Sequence, residues 1–167
     1  MKILRRAFAA ASIGWAAALP IATLVASRPV PSSSAYLFGF AVYVIGSLVC
    51  HQRSERSFYL WARQMPVCAR CTGIYFGAAF TVLLWPVARW PRSVAPTFAV
   101  VARRLQPSVC RSPKGIALLA CAPAMATLVY EWTAGVMPSN WIRAATGVWL
   151  GAGIALLVAG HGTGDVK

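Results

Sequence analysis

Four stretches of the chain, 7–26, 35–50, 72–88 and 115–130, run for 16 to 20 residues without a charged side chain, and a fifth, 141–160, contains Arg143 alone. In hydrocarbon every backbone N–H and C=O must find its partner within the chain, so runs of this kind fold as helices. At a rise of 1.5 Å per residue, about 20 residues cross the roughly 30 Å core of a bilayer. The expected fold class is all-α, a multi-pass transmembrane helical bundle of four or five spans, with residues 1–167 forming a single integral membrane domain. Composition agrees. Hydrophobic residues make up 59% of the chain and charged ones 11%, against roughly 45–50% and about 25% in soluble domains, which excludes an ordinary water-soluble fold.

The net charge is +13, from 16 Lys and Arg against Glu55, Glu131 and Asp165. In a soluble chain that excess points to nucleic acid. Here the basic residues sit between apolar runs, where they meet head groups, so the expected partners are the lipid bilayer and its anionic lipids, with no nucleic acid. The expected location is a bacterial inner (cytoplasmic) membrane. Sorting the Lys and Arg across five spans gives eight on each face, so the positive-inside bias assigns no orientation. The first run also admits a signal-peptide reading, since Arg5-Arg6-Ala7-Phe8 resembles a twin-arginine start. Its length and the lack of a small-x-small cleavage site favour a span.

The connections differ in kind. Arg28 and the prolines and serines of 29–34 make a short loop whose serines suit a helix cap. Residues 51–65 mix Arg53, Glu55, Arg56 and Arg63 with Phe58, Tyr59 and Trp61, the composition of an interfacial segment. The stretch 89–114 holds six basic residues, no acid and four prolines, and reads as a loop. Pro138-Ser139-Asn140 supplies a helix start, with Ser139 or Asn140 as the cap.

The cysteines are unevenly spread. Cys50 and His51 close the second run, and Cys68 and Cys71 open the third. If those two helices are antiparallel neighbours, the short excursion between them brings Cys50, His51, Cys68 and Cys71 together, a Cys3His set suited to zinc or a similarly soft divalent metal. Two cysteines three apart can bite one ion because a tight turn aims both sulfurs the same way. Adjacent residues on a helix point about 100° apart, so the helix must end near Cys50 for both Cys50 and His51 to ligate. Gln52, Arg56 and Arg70 offer supporting donors, and Arg70 between the cysteines would favour their thiolates. The same thiols, Cys68, Cys71 and Cys50, permit another chemistry, disulfide exchange with a quinone as electron acceptor. Cys110 and Cys121 read as small apolar residues.

Glu131 and Arg143 flank the last connection. Ionisable groups at membrane depth are costly unless paired, so they are expected to meet, with Asn140 and Thr146 extending the network. Gly73 with Gly77, and Gly147 with Gly151, place small residues on one helix face and predict close helix packing. His161 has no evident partner.

Several of these residues form a recognisable pattern. Cys50-His51-Gln52, Arg56-Ser57-Phe58 and the run from Pro66 to Gly77, with Cys68-Ala69-Arg70-Cys71-Thr72-Gly73 at its centre, resemble the signature of a family of small bacterial and archaeal membrane proteins. Ser139-Asn140, Arg143 and Thr146-Gly147 resemble that family's second motif. The chain departs from it at Glu131-Trp132, where the family has Asp-Gly, and at Met137-Pro138. The resemblance implies a multi-pass membrane protein with a Cys/His cluster and implies no particular reaction. Three functions remain open on the sequence: a metal site, a quinone-linked membrane thiol-disulfide oxidoreductase, and a small transporter or assembly subunit built around Glu131 and Arg143.

Overall fold

The computed structural model describes residues 2–88 and 113–160. The basic stretch of 89–112, with Trp90 and Cys110, and His161 lie outside them. Five helices are present among the described residues: α1 (Lys2–Ser27), α2 (Ser33–Val49), α3 (Ala69–Ala88), α4 (Pro113–Ala134) and α5 (Asn140–Gly160). The helical bundle is therefore as expected. By length and composition α1, α4 and α5 are able to cross a membrane, whereas α2 and the most apolar part of α3 are shorter. α2, with 17 residues, is about 26 Å long. Ser32 caps it, its Oγ accepting from the Ala35 N–H.

Residues 51–65, expected to be an interfacial segment, belong to a short 3-10 turn (Ser54–Arg56) and an antiparallel hairpin of β1 (Ser57–Leu60) and β2 (Arg63–Cys68), which was not foreseen from the sequence. Leu60 pairs with Arg63, so Trp61 and Ala62 alone make the turn. Both have positive φ, 51° and 59°, the conformation of the tight turns that match strand twist. Such turns favour Asn and Gly, and a residue with a Cβ pays about 1 kcal/mol or more to adopt this conformation.

The hairpin decides how the helices are arranged. Arg63 and Gln64 share a cavity with Val25, Arg28 and Tyr36, beside the α1–α2 turn. Pro66 lies against Gly46, and Cys68 reaches Cys50. β2 thus runs beside α2 in the same direction, and α3 continues that direction from the level at which α2 stops. α2 packs on α1 and β2 and, among the described residues, shares no substantial interface with α3. The expected antiparallel α2–α3 pair is not formed; the two helices are stacked end to end along α1. The C-terminal half of α1 gives Leu19 and Ala22 to a core with Val42, Met65 and Val67. Its N-terminal half faces α3, where Trp15 meets Tyr75 edge to face at 6.0 Å.

α3 and α5 make the most intimate helix contact among the described residues. A Cβ on Gly73 or Gly77 would strike the backbone of Ala144 or Val148, and one on Gly147 or Gly151 would strike that of Arg70 or Ile74. The two glycine pairs interlock and let the backbones touch, as their spacing predicts. α4 runs antiparallel to α5 and closes the bundle.

Candidate metal centre

Helix α2 ends at Cys50, which is extended (φ −147°, ψ 138°) and ties its N–H to the Gly46 carbonyl. Its sulfur accepts the Cys68 N–H at 3.2 Å. Cys68 is the last residue of β2 and immediately precedes α3, and Cys71 lies within the first turn of that helix. Two segments 18 residues apart in the chain therefore meet, and the sulfurs of Cys50, Cys68 and Cys71 all lie within 4.8 Å of one another, each half-buried. Zinc–sulfur bonds of about 2.3 Å in a tetrahedron put sulfurs about 3.8 Å apart, so closure on one ion needs movements of an ångström or less. The donor set is all thiol, which fits a soft ion.

His51 is not part of this group. It is exposed, and the cause is local. Successive side chains of an extended backbone point to opposite sides, so with Cys50 turned inward His51 turns out. The helix does end where two adjacent ligands would require, but into a conformation that separates them by about 180°. Gln52, also expected to support the sulfurs, donates its amide to the carbonyls of Tyr43 (3.0 Å) and Pro66 (2.6 Å). It is a staple between α2 and the hairpin. Tyr43 and Gln64, which sequence reasoning overlooked, complete that staple: the Tyr43 hydroxyl donates to the Gln64 carbonyl and the Gln64 amide to that of Gln52. Arg56 ends the 3-10 turn, its Nε buried without a partner among the described residues.

The Cys68 thiol is pulled down to about 5, first by the hydrogen bond it receives from Cys71 and then by backbone N–H groups of Cys71 and Arg70 and the Cys50 side chain, against burial, which raises it. The helix N-terminus adds to that bond, since its unpaired amides favour an anion. Arg70 contributes through its amide. Its guanidinium turns the other way, to the Thr127 hydroxyl at 3.1 Å and to Glu131 at 3.3 Å.

Arg143 meets the same Glu131 oxygen at 2.6 Å, as their placement predicted, and both side chains are buried, at 4% and 8% exposure. Two arginines thus converge on one carboxylate and join the first turns of α3 and α5 to the last turns of α4. Thr127 is the member that sequence reasoning missed; one turn before Glu131 on α4, it could have been found by helical spacing. Thr146 only bonds back to the Arg143 carbonyl, and Asn140 instead reaches the hairpin, donating to the Ser57 carbonyl at 3.1 Å. Ser139, not Asn140, caps α5, its Oγ accepting the Ile142 N–H. Cys121 is exposed on α4, consistent with an apolar outward residue.

A family model described as predicted membrane protein (DUF2085) matches residues 50–157, which is more than half of the chain. The chain belongs to this family. In the DUF2085 match the first residue is Cys50 itself, and the match takes in the thiol cluster, the hairpin, the ion cluster and the interlocked α3–α5 pair, leaving out α1 and α2. An uncharacterised protein of Methanocaldococcus jannaschii is 44% identical over 45 residues, 27% of this chain and 29% of its own length. An uncharacterised protein of Methanothermobacter thermautotrophicus is 51% identical over 37 residues, 22% and 32%. The matched segments therefore span less than a third of either relative. No solved structure matches the chain.

Proposed function

We propose that this DUF2085 protein holds a soft divalent metal, zinc or a close equivalent, on the thiolates of Cys50, Cys68 and Cys71 in the cytoplasmic membrane. The observation that supports this reading is the convergence of three sulfurs, from two separate segments, within 4.8 Å of one another. Three like donors that form no ion pair among themselves are completed by a cation from outside. A bound ion would lock the end of α2 to the start of α3, and three protein ligands leave one position of a tetrahedral ion for an exchangeable group. The proposed ligand set leaves out His51, which is exposed and outside the group of sulfurs. Protein purified without chelator should contain about one equivalent of metal by elemental analysis, and the Cys68→Ser, Cys71→Ser variant none. Metal-free wild type with three alkylatable thiols would overturn the proposal.

A second reading, a membrane thiol-disulfide oxidoreductase, is favoured by one observation. An apolar cavity of about 660 Å³ between α1, α3 and α5 is walled by Trp15, Ile74 and Tyr75, and Tyr75 stands one helical turn beyond Cys71. A lipid-soluble quinone there would take two electrons and two protons from the Cys68 and Cys71 thiols, becoming quinol as the disulfide forms. That reading requires a Cys68–Cys71 disulfide whose abundance follows the quinone redox state. For the ion cluster, mutual pairing of Arg70, Glu131 and Arg143 supports a structural role rather than a transport site.

A further inference from the structure

The stacking of α2 on α3 changes how often the chain crosses the bilayer. α1 rises over 26 residues, the chain turns at Arg28, and α2 descends only to Cys50. β1 then rises again and β2 descends beside α2, so that α3 starts level with the middle of the C-terminal half of α1. Leu19 and Ala22 there pack against Met65 and Val67 of β2. Arg28, after α1, and Arg63, at the hairpin tip, line one cavity of about 510 Å³. In a five-span chain these two residues would be separated by the whole bilayer. The hairpin and the 3-10 turn before it also expose Arg53, Glu55 and Arg63, charges that hydrocarbon does not accept.

We infer that the chain crosses four times, through α1, α3, α4 and α5, and that α2 and the hairpin form a cap on the non-cytoplasmic face, which puts the three thiols on that side. The charge distribution decides the orientation once α2 is no longer counted. Lys2, Arg5 and Arg6, the six basic residues from Arg89 to Lys114, and Lys167 now belong to one face, making ten. Arg28, Arg53, Arg56, Arg63, Arg70 and Arg143 belong to the other, making six. The even tally of the five-span arrangement becomes a clear excess, and two of the six, Arg70 and Arg143, are neutralised in part by Glu131. The positive-inside bias therefore puts the start of α1 and the 89–114 stretch in the cytoplasm.

This deepens the metal reading, on which it rests for the nature of what arrives: the soft ion reaches the thiolates from the non-cytoplasmic side. The topology itself is independent of metal. It is tested by labelling full-length protein in right-side-out cells with a membrane-impermeant maleimide, before and after permeabilisation. The reporters are Lys2→Cys, Trp61→Cys and the native Cys110, with wild type and Cys110→Ser as background. Trp61→Cys should label in sealed cells, and Lys2→Cys and Cys110 only after permeabilisation. Should Trp61→Cys misfold, Glu55→Cys reports on the same cap. Labelling of Lys2→Cys and Trp61→Cys from one side would restore five crossings, and protection of the hairpin reporter in sealed cells would reverse the orientation; either overturns the inference. Metal content measured on the same preparations separates the two proposals, since a metal-free protein with the expected labelling pattern would sink only the metal site.

Discussion

Arg70 and Cys71 are adjacent on the first turn of α3, yet they belong to two polar clusters that face opposite ways. Arg70 turns toward α4 and α5, where Glu131 and Arg143 await it. Cys71 turns toward α1 and the end of α2, where Cys50 and Cys68 lie. The ion cluster is made of opposite charges: two guanidiniums meet one carboxylate, and the Thr127 hydroxyl accepts from one of them and donates to the Ala124 carbonyl. The thiol cluster is made of like groups. Gathering them costs repulsion as soon as they ionise, and among the described residues the nearest cation in sequence, Arg70, turns its guanidinium away to Thr127 and Glu131. The ion cluster finds its counter-charge within the chain, though Nε of Arg70 and of Arg143 stays buried without a partner among the described residues, whereas the thiol cluster finds none there and is the one we propose takes a ligand.

The largest test of that contrast is removal of the ligand. If an ion completes the thiols, stripping it with a chelator forfeits a binding free energy on the order of 10–16 kcal/mol, the apparent range for structural zinc sites. The loss should appear as a lowered unfolding temperature in detergent, restored by adding zinc, and absent from the Cys68→Ser, Cys71→Ser variant. The ion cluster should answer differently. Glu131→Gln leaves the buried Arg143 guanidinium and the half-buried one of Arg70 without a counter-charge, and breaking a buried pair in this way typically costs about 3–5 kcal/mol. That variant should unfold at lower temperature while retaining its metal equivalent. Equal loss of metal from Glu131→Gln would merge the two clusters into one site and break the comparison.

The asymmetry within the thiol cluster gives a smaller and sharper effect. Because the hydrogen bond from Cys71 and the helix amides hold the Cys68 thiol down to about 5, in metal-free protein it is thiolate above that pH and thiol below it. Alkylation of Cys68 by iodoacetamide, followed by mass spectrometry, should persist from neutral pH down to about 5 and fall as pH drops further. In Cys71→Ala, which removes the main donor, the fall should begin at higher pH. An unchanged profile in that variant would assign the effect to the helix terminus alone.

Much of this was legible in the sequence, and the parts that were not share a cause. The five helices follow from uncharged runs, the interlocking of α3 and α5 from Gly73, Gly77, Gly147 and Gly151, and the Glu131–Arg143 pair from the cost of leaving either alone. Each depends on periodicity or on burial. The hairpin escaped because its turn is Trp61-Ala62, with no Asn or Gly to mark positive φ. The stacking of α2 on α3 escaped because an apolar run of 16 residues has the composition of a span whether or not it crosses. Arg70 was assigned to the thiols because it lies between them in sequence. On a helix, however, neighbours diverge by about 100°, which is enough to send it to the other cluster.

His51 is the smallest effect and the most exact check on which residues the thiol cluster comprises. Sequence adjacency makes it a ligand; in the structure Cys50 is extended and His51 is exposed, outside the group of sulfurs. His51→Ala should therefore leave metal stoichiometry at about one equivalent and change stability by no more than about 0.5 kcal/mol, as for other exposed substitutions. Cys50→Ala, one residue earlier, should lose the ion. The two variants differ by a single position and sample the same stretch of backbone, so a disturbance of the α2 terminus would affect both alike. Only a true difference in direction separates them. If His51→Ala loses metal as Cys50→Ala does, the chain turns at Cys50 when the ion binds, and the fourth ligand is the imidazole rather than an exchangeable group.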